Sequence, residues 1–274
     1  KFILSDARTK ITRYPNPTNT LDKYQTGQMM GDIYGYETIG IAKSKEEIDQ
    51  HLASLPNGGQ NALGTNWDAG DIMYKDLNGD GKIDNGGNKY DDMGDMKKIG
   101  NNTPRYLFGL DLSADYKGFD FRAFFQGVMK RDYWQGSSYF WGVTSLWHST
   151  GFVEHTDYFR AEASNDLPAN LDAYYPRPVF DSSKNRQKQT AYLQNAAYIR
   201  LKNVQLGYTL PANLTHKFYV SKLRVFVSGE NLWTGTSLAK MFDPETIGGG
   251  DDTDKNGNAY PLSKTISFGI SVTL

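Results

Sequence analysis

The sequence predicts an all-β fold: antiparallel strands of bilayer-crossing length, joined by tight turns at one end and long loops at the other. Three observations carry that prediction. The composition suits strands and turns, with 28 Gly, 18 Tyr and 14 Phe in 274 residues, because aromatics fit a pleated surface and Gly fits turns. Several segments alternate apolar and polar residues over the length a tilted membrane strand needs, about 9–11 residues. The spacing between these segments is lopsided, a short connection followed by a long one, as in outer-membrane barrels.

Composition also sets limits. Lys and Arg total 30 and Asp and Glu total 31, a formal charge of -1, so no global field draws nucleic acid or an anionic surface. With 0 Cys there is neither a disulfide framework nor thiol chemistry. Mean hydropathy is -0.60 and no run approaches the roughly 18 apolar residues of a membrane helix. A barrel escapes that test, since only every second side chain meets lipid. At the start, Phe2, Ile3 and Leu4 precede Asp6, short of the apolar core of about 7–15 residues in a secretory leader. A signal peptide is therefore expected to lie outside this sequence.

Taken in order, the first element is a helix at residues 44–55: Ser44 caps it, Glu47 stands three residues on, and Ile48, Leu52 and Leu55 share a face. It belongs to a loop at the outer end. Residues 106–116 put Tyr106, Phe108, Leu110, Leu112, Ala114 and Tyr116 on one face, with a tyrosine at each end, as in the aromatic girdles of membrane barrels. Lys117 and Gly118 turn the chain into a second strand, 119–129, whose alternation Phe124 blurs. Residues 131–190 carry little periodicity and read as a long extracellular loop. Residues 198–210 and 223–233 alternate again, joined by 211–221, and 236–263 form a Gly- and Asp-rich second loop. The final strand places Ile266, Phe268, Ile270, Val272 and Leu274 on one face and Thr265, Ser267, Gly269, Ser271 and Thr273 on the other. On pattern alone this also fits an amphipathic strand of a soluble sandwich.

One motif points to metal. Asp76, Asn78, Asp80, Lys82 and Asp84 stand at positions 1, 3, 5, 7 and 9 of a calcium loop, Lys82 through its carbonyl, with Gly81 at the bend. Position 12 is Gly87, so Asp91, Asp92 or Asp95 must fold back to close it. The expectation is a structural Ca²⁺ within a calcium-loop-like insertion, 71–95, of an extracellular loop; the alternative is a solvated acidic turn. In the long loop, Trp134, Tyr139, Trp141 and Trp147, beside Tyr133 and Phe140, offer flat faces to a substrate or partner, or else pack the loop on itself. No catalytic set emerges: His51, His148, His155 and His216 are scattered, and Gly58-Gly59 and Gly248-Gly249-Gly250 lack the following Lys-Ser/Thr of a phosphate loop.

Several segments, taken together, resemble the C-terminal region of SusC/RagA-family TonB-dependent transporters. They are Gly31-Asp-Ile-Tyr-Gly-Tyr36, Gly70-Asp-Ile-Met-Tyr-Lys-Asp-Leu-Asn-Gly-Asp-Gly-Lys-Ile-Asp84, Ile99-Gly-Asn101 with Thr103-Pro104, and Gly118-Phe-Asp120 with Phe124-Phe-Gln-Gly127. Tyr174-Tyr-Pro-Arg177, Tyr198-Ile-Arg-Leu-Lys-Asn203 with Leu206-Gly-Tyr208, and Gly229-Glu-Asn-Leu232 complete the series. Aligned on Ile99, the closing acid of the calcium-like loop becomes Asp95. The chain ends on Leu274 where the family tends to end on an aromatic, yet Ser267-x-Gly269-x-x-Val272-x-Leu274 keeps the form of an outer-membrane insertion signal.

The resemblance covers nearly all of 1–274. It implies the C-terminal section of a large antiparallel transmembrane β-barrel with long extracellular loops, in the outer membrane of a Gram-negative bacterium. Such barrels have about 22 strands, of which seven or eight are expected here, with the plug domain upstream. It further implies import of glycans, or of peptides, with a SusD-like lipoprotein over the loops, TonB acting through the upstream part, and no enzyme activity. The rival readings are a soluble calcium-stabilised β-sandwich that binds polysaccharide as a module of a secreted enzyme, and, third, a surface adhesin.

Overall fold

A computed structural model describes residues 1–142, 144, 145, 147, 151–164, 166–247 and 262–274. In chain order the elements are β1 (Phe2–Ser5), β2 (Asp32–Tyr36), β3 (Thr38–Ile41), α1 (Lys45–Ala53), β4 (Ile72–Tyr74), β5 (Met96–Asn101), β6 (Arg105–Tyr116), β7 (Phe119–Lys130) and β8 (Asp132–Trp134). Then come α2 (Ser138–Trp141), β9 (Leu193–Asn195), β10 (Tyr198–Thr209), α3 (Ala212–Thr215), β11 (Lys222–Thr236) and β12 (Thr265–Thr273). They form two regions: one broad sheet, and a lobe built from the long connections.

The sheet has six strands in the order β1-β6-β7-β10-β11-β12, each antiparallel to its neighbours. Among the described residues that is fewer than the seven or eight expected; the remaining short strands pair within the lobe. Lys117 and Gly118 turn β6 into β7 with φ of 46° and 87°, the positive pair a type I′ hairpin requires. This turn, the 210–221 connection and the end of β12 lie together, since Phe119 pairs with both Tyr116 and Tyr208, and Lys222 with Thr273. Connections 6–104, 131–197 and 237–264 all leave from the opposite end. The expected lopsidedness is present.

Register converts the alternation into two faces. On one, Ala114, Phe121, Leu206, Val227 and Phe268 form a row across five strands, and Tyr116, Phe119, Tyr208, Val225 and Ile270 form the next. On the other, Ser113, Arg122, Gln205, Ser228 and Ser267 line up, flanked by Asp111, Phe124, Asn203, Glu230 and Thr265. A one-residue slip would exchange the faces along a whole strand, so the apolar rows fix the register. Among the described residues nothing covers the apolar face: Phe268 is 84% exposed, Ile270 72% and Tyr116 69%. A sandwich buries that face against a second sheet; here it is bare, as a lipid-facing barrel wall is. The nine residues of β12, at about 3.3 Å each and a tilt near 40°, span roughly 23 Å, close to the apolar band of such a wall.

The polar face is tied by ion pairs between strands. Arg122 holds Asp111 with Nη2–Oδ2 at 2.8 Å, and Arg224 on β11 reaches across β10 to Asp120 on β7, with Nε–Oδ2 at 2.8 Å. Gly207 makes the second bridge possible, because a Cβ there would lie 2.4 Å from both Arg224 Nη2 and Asp120 Oδ2.

The hydrophobic core lies in the lobe. Ile48, Ile72, Tyr74, Ile83, Phe140 and Ala196 are fully buried in one cluster that also takes Trp67, Trp134, Trp141, Tyr192 and Phe242. Segments 33–83, 133–196 and 238–247 thus share one core. In α1, Ser44 Oγ accepts from Glu47 N at 3.2 Å, the N-cap that the sequence predicts, and Ile48 faces inward at 0% exposure. Residues 131–190 include β8, α2 and a 3₁₀ turn at Val153–Thr156. Their aromatics give this stretch a core without a strand period.

Candidate metal loop and aromatic lobe

The acidic loop folds around its own backbone. Asp76 accepts from Gly79 N at 2.6 Å and Gly81 N at 2.9 Å, and Asn78 Oδ1 accepts from Asp80 N at 2.9 Å. The loop is anchored to the lobe where Asn57 N donates to Gly81 O, Ile83 N to Gly59 O, and Ile83 enters the core. Asp95 folds back into it: its Oδ1 accepts from Leu77 N at 2.7 Å and its Oδ2 from Asp84 N at 2.9 Å. Asp91 instead bonds Asn19, and Asp92 bonds Gly87 N.

One carboxylate oxygen from each of Asp76, Asp80 and Asp95 lies within 4.8 Å of the other two. That spacing suits a cation with ligands at about 2.3–2.6 Å, because oxygens on opposite sides of such an ion lie at most about 5 Å apart. The donor set is hard oxygen, which fits Ca²⁺ better than a softer metal. Asn78 stands beside the cluster, its Nδ2 donating to Asp80 Oδ2 at 3.1 Å. Asp84 is drawn aside by Lys82, whose Nζ is 2.6 Å from Asp84 Oδ2; that ammonium holds the Asp84 carboxyl below its ordinary value. Burial, with the Asp76 charge adding to it, pushes Asp95 up despite its backbone hydrogen bonds. Three of the six sequence-derived ligands therefore converge, and Asn78, Asp84 and Lys82 flank them.

The four loop aromatics separate. Trp134 and Trp141 are each 9% exposed and pack against each other in the core, ring centroids 6.0 Å apart and planes tilted by 50°. Tyr139 lies on the surface against Phe152, and Trp147 is 92% exposed. Packing the loop on itself thus accounts for Trp134 and most of Trp141. Of the histidines, His51 bonds Gln60 at 3.1 Å and burial lowers its pKa. His155 is held between Phe152 N and Phe140 O, and His216 is exposed. His148 and Gly248-Gly249-Gly250 lie outside the described residues.

Two features were not visible in the sequence. One is a buried ion cluster: Asp71 accepts from Arg177 Nε and Nη2 at 2.8 Å each, from Lys184 Nζ at 2.7 Å and from Asn185 Nδ2 at 2.8 Å. Burial opposes charging Asp71, but those donors outweigh it and hold its pKa below the ordinary value. Gly70-Asp71 and Tyr174-Tyr-Pro-Arg177 were each recognisable; their pairing across more than a hundred residues was not. The other is a cavity of about 640 Å³ beside that cluster, walled by Trp141, Phe152, Tyr175, Phe180 and Arg186 among others.

The sheet and lobe together define a class: a section of a large antiparallel β-barrel wall whose long connections fold together at one end. No family model matches the chain. Among curated proteins it is similar to TonB-dependent receptor P3 of Formosa agariphila, 27% identical over 254 residues, which takes in 90% of this chain and 22% of that protein. TonB-dependent receptor P26 of the same organism is 28% identical over 257 residues, 90% of this chain and 23% of that one. Among solved structures, the RagAB peptide transporter matches with a TM-score of 0.59 and 22% identity, over 91% of this chain and 23% of that one. The RagAB peptide importer in its open-open state matches at 0.55 over 97% of this chain. The chain thus spans about a quarter of the length of the proteins it matches. It is related in sequence to TonB-dependent receptors and shares the RagAB fold, a span consistent with the C-terminal part to which the sequence motifs point. Those relatives are receptors and transporters rather than enzymes.

Proposed function

We propose that this chain supplies C-terminal wall and external loops to a TonB-dependent importer in the outer membrane of a Gram-negative bacterium. The observation that carries this reading is the bare apolar face, continuous across the sheet, with the folded lobe at one end only. Lipid meets the apolar rows, the polar face looks into the lumen, and the lobe receives cargo under a SusD-like surface lipoprotein. TonB acts through the importer's plug domain. The acidic loop holds a structural Ca²⁺ through Asp76, Asp80 and Asp95, locking 76–84 and 95 to the lobe.

Oligosaccharide is the cargo that the family resemblance favours. Peptide is the second reading, favoured because Trp134 and Trp141, two of the four aromatics that the sequence offered for stacking on a substrate, are largely buried in the core; the RagAB proteins of like fold are described as peptide transporters. The test compares cells with and without the gene, in wild-type and tonB-deficient backgrounds, for uptake of labelled oligosaccharides and peptides. Gene- and TonB-dependent uptake of either supports import and names the cargo. Uptake unchanged by either deletion removes the proposal.

A further inference from the structure

The cavity beside the Asp71 cluster has in its wall one half-buried guanidinium, that of Arg186, with hydrogen-bonding capacity left over. Its walls are set by backbone bonds that cross it: Phe159 N to Tyr175 O at 3.0 Å, Arg177 N to Gly70 O at 2.9 Å and Asp181 N to Thr144 O at 3.0 Å. The lining is mainly aromatic and aliphatic, and four of its polar side chains are engaged elsewhere. Asn185 is used by Ile72 N and Asp71. Arg177 is used by Asp71 and Asn66 O. His155 accepts from Phe152 N through Nδ1, which leaves Nε2 to donate to Phe140 O. Thr156 Oγ1 donates to Val153 O.

Arg186 is the lining cation without an ion pair among the described residues. Its Nε and Nη2 both donate to Ser182 O, at 3.1 and 2.9 Å. Among the described residues its Nη1 has no partner and the guanidinium forms no ion pair; Asp181 acts on it only through space. Burial pushes its pKa down from the ordinary arginine value, the sign of a cation partly removed from water without an anion against it.

We propose that this cavity binds a small apolar carboxylate, either a free acid or the C-terminal residue of a peptide, with the ring or chain against Trp141, Phe152 and Tyr175 and the carboxylate on Arg186. A guanidinium matches a carboxylate in shape and charge, and their hydrogen bonds strengthen away from water. A sugar ring fits less well, because its many hydroxyls would be set against a lining that is mainly aromatic and aliphatic. The volume lies in the range of small-molecule sites, about 300–1,000 Å³.

Binding at this cavity is read independently of import. The protein at its full natural length, in detergent, is titrated by calorimetry with N-acetyl-phenylalanine, its C-terminal amide, glucuronate and the tripeptide Gly-Gly-Phe. The proposal expects the acid to bind at least tenfold tighter than the amide, and Arg186→Gln to abolish that preference while the barrel keeps its gel mobility before boiling. Binding of Gly-Gly-Phe equal to that of the small acid identifies peptide ends as the source; a much weaker response identifies free acids. Equal affinity for acid and amide, a preference that survives Arg186→Gln, or tighter binding of glucuronate would each overturn it. Phe180→Ala, which widens the cavity and leaves Arg186 in place, is expected to weaken acid and amide alike.

Discussion

At Asp95 burial and neighbouring charge act in the same direction: the carboxyl is fully enclosed and close to Asp76, so it keeps its proton to higher pH than an ordinary aspartate. For an acid whose folded pKa is raised, the stability it contributes is present below its unfolded value and is lost as pH rises through the folded one. Metal-free protein is therefore expected to lose stability through this group between acid and neutral pH, and Ca²⁺ to restore it. Tryptophan fluorescence reads this well, because Trp67, Trp134 and Trp141 sit in the lobe core. Thermal unfolding at neutral pH should shift upward with Ca²⁺ and downward with chelator, and Asp95→Asn should remove that response. A wild-type curve indifferent to chelator would dispose of the metal site. Asp71 has the opposite sign: its lowered pKa means that its contribution is present above the ordinary carboxylate value and is lost as pH falls through the folded one. Asp71→Asn leaves the Lys184 ammonium, 1% exposed, without its carboxylate. The expected cost is about 3–5 kcal/mol, seen as early loss of the same fluorescence signal.

Strands β6, β10, β11 and β12 were legible because each alternates with period two, and their apolar rows meet in register in the sheet. Phe124 blurred β7 in the sequence; in the structure it stands on the polar face beside Gly109, whose absent side chain leaves room for the ring. The short strands β2 to β5, β8 and β9 were not legible. Each has six residues or fewer, and they are held by lobe packing rather than by a periodic face. The candidate site divides the same way: the Asp76–Asp84 spacing was readable because a local loop encodes it, whereas Asp95 needed an alignment. The Asp71–Arg177–Lys184 cluster and the cavity need the tertiary fold. A direct consequence at this scale concerns β12. Ile270→Arg, on the apolar face, should destabilise the membrane-inserted barrel by about 2–4 kcal/mol if it sits near mid-bilayer, while Ser271→Arg, one residue on, should cost far less. Equal costs in a denaturant titration in lipid would mean that β12 does not separate lipid from lumen.

The two regions of the molecule are stabilised by different solvents. The lobe buries its own aromatics and Ile, Leu and Met side chains in a core of its own. The sheet leaves Phe2, Leu4, Phe121, Leu206, Phe268 and Ile270 uncovered, and in the proposed importer lipid covers them. Its edges, β1 and β12, carry unpaired backbone groups that further barrel strands would satisfy. Under the proposed function, that division explains how a chain with a mean hydropathy of -0.60 forms part of a membrane wall: the lobe and the lumen face set the average, and the lipid face is a minority of residues.

The most direct test uses the absence of cysteine from the chain. Single cysteines placed in turn from Thr265 to Thr273, in the full-length protein reconstituted in lipid, are labelled with a fluorophore and exposed to a quencher confined to the acyl chains. A strand with one face on lipid gives quenching that alternates residue by residue, strong at positions 266, 268, 270 and 272 and weak at 265, 267, 269, 271 and 273. Uniform quenching, or uniform reaction with a water-soluble thiol reagent along the whole strand, would contradict it.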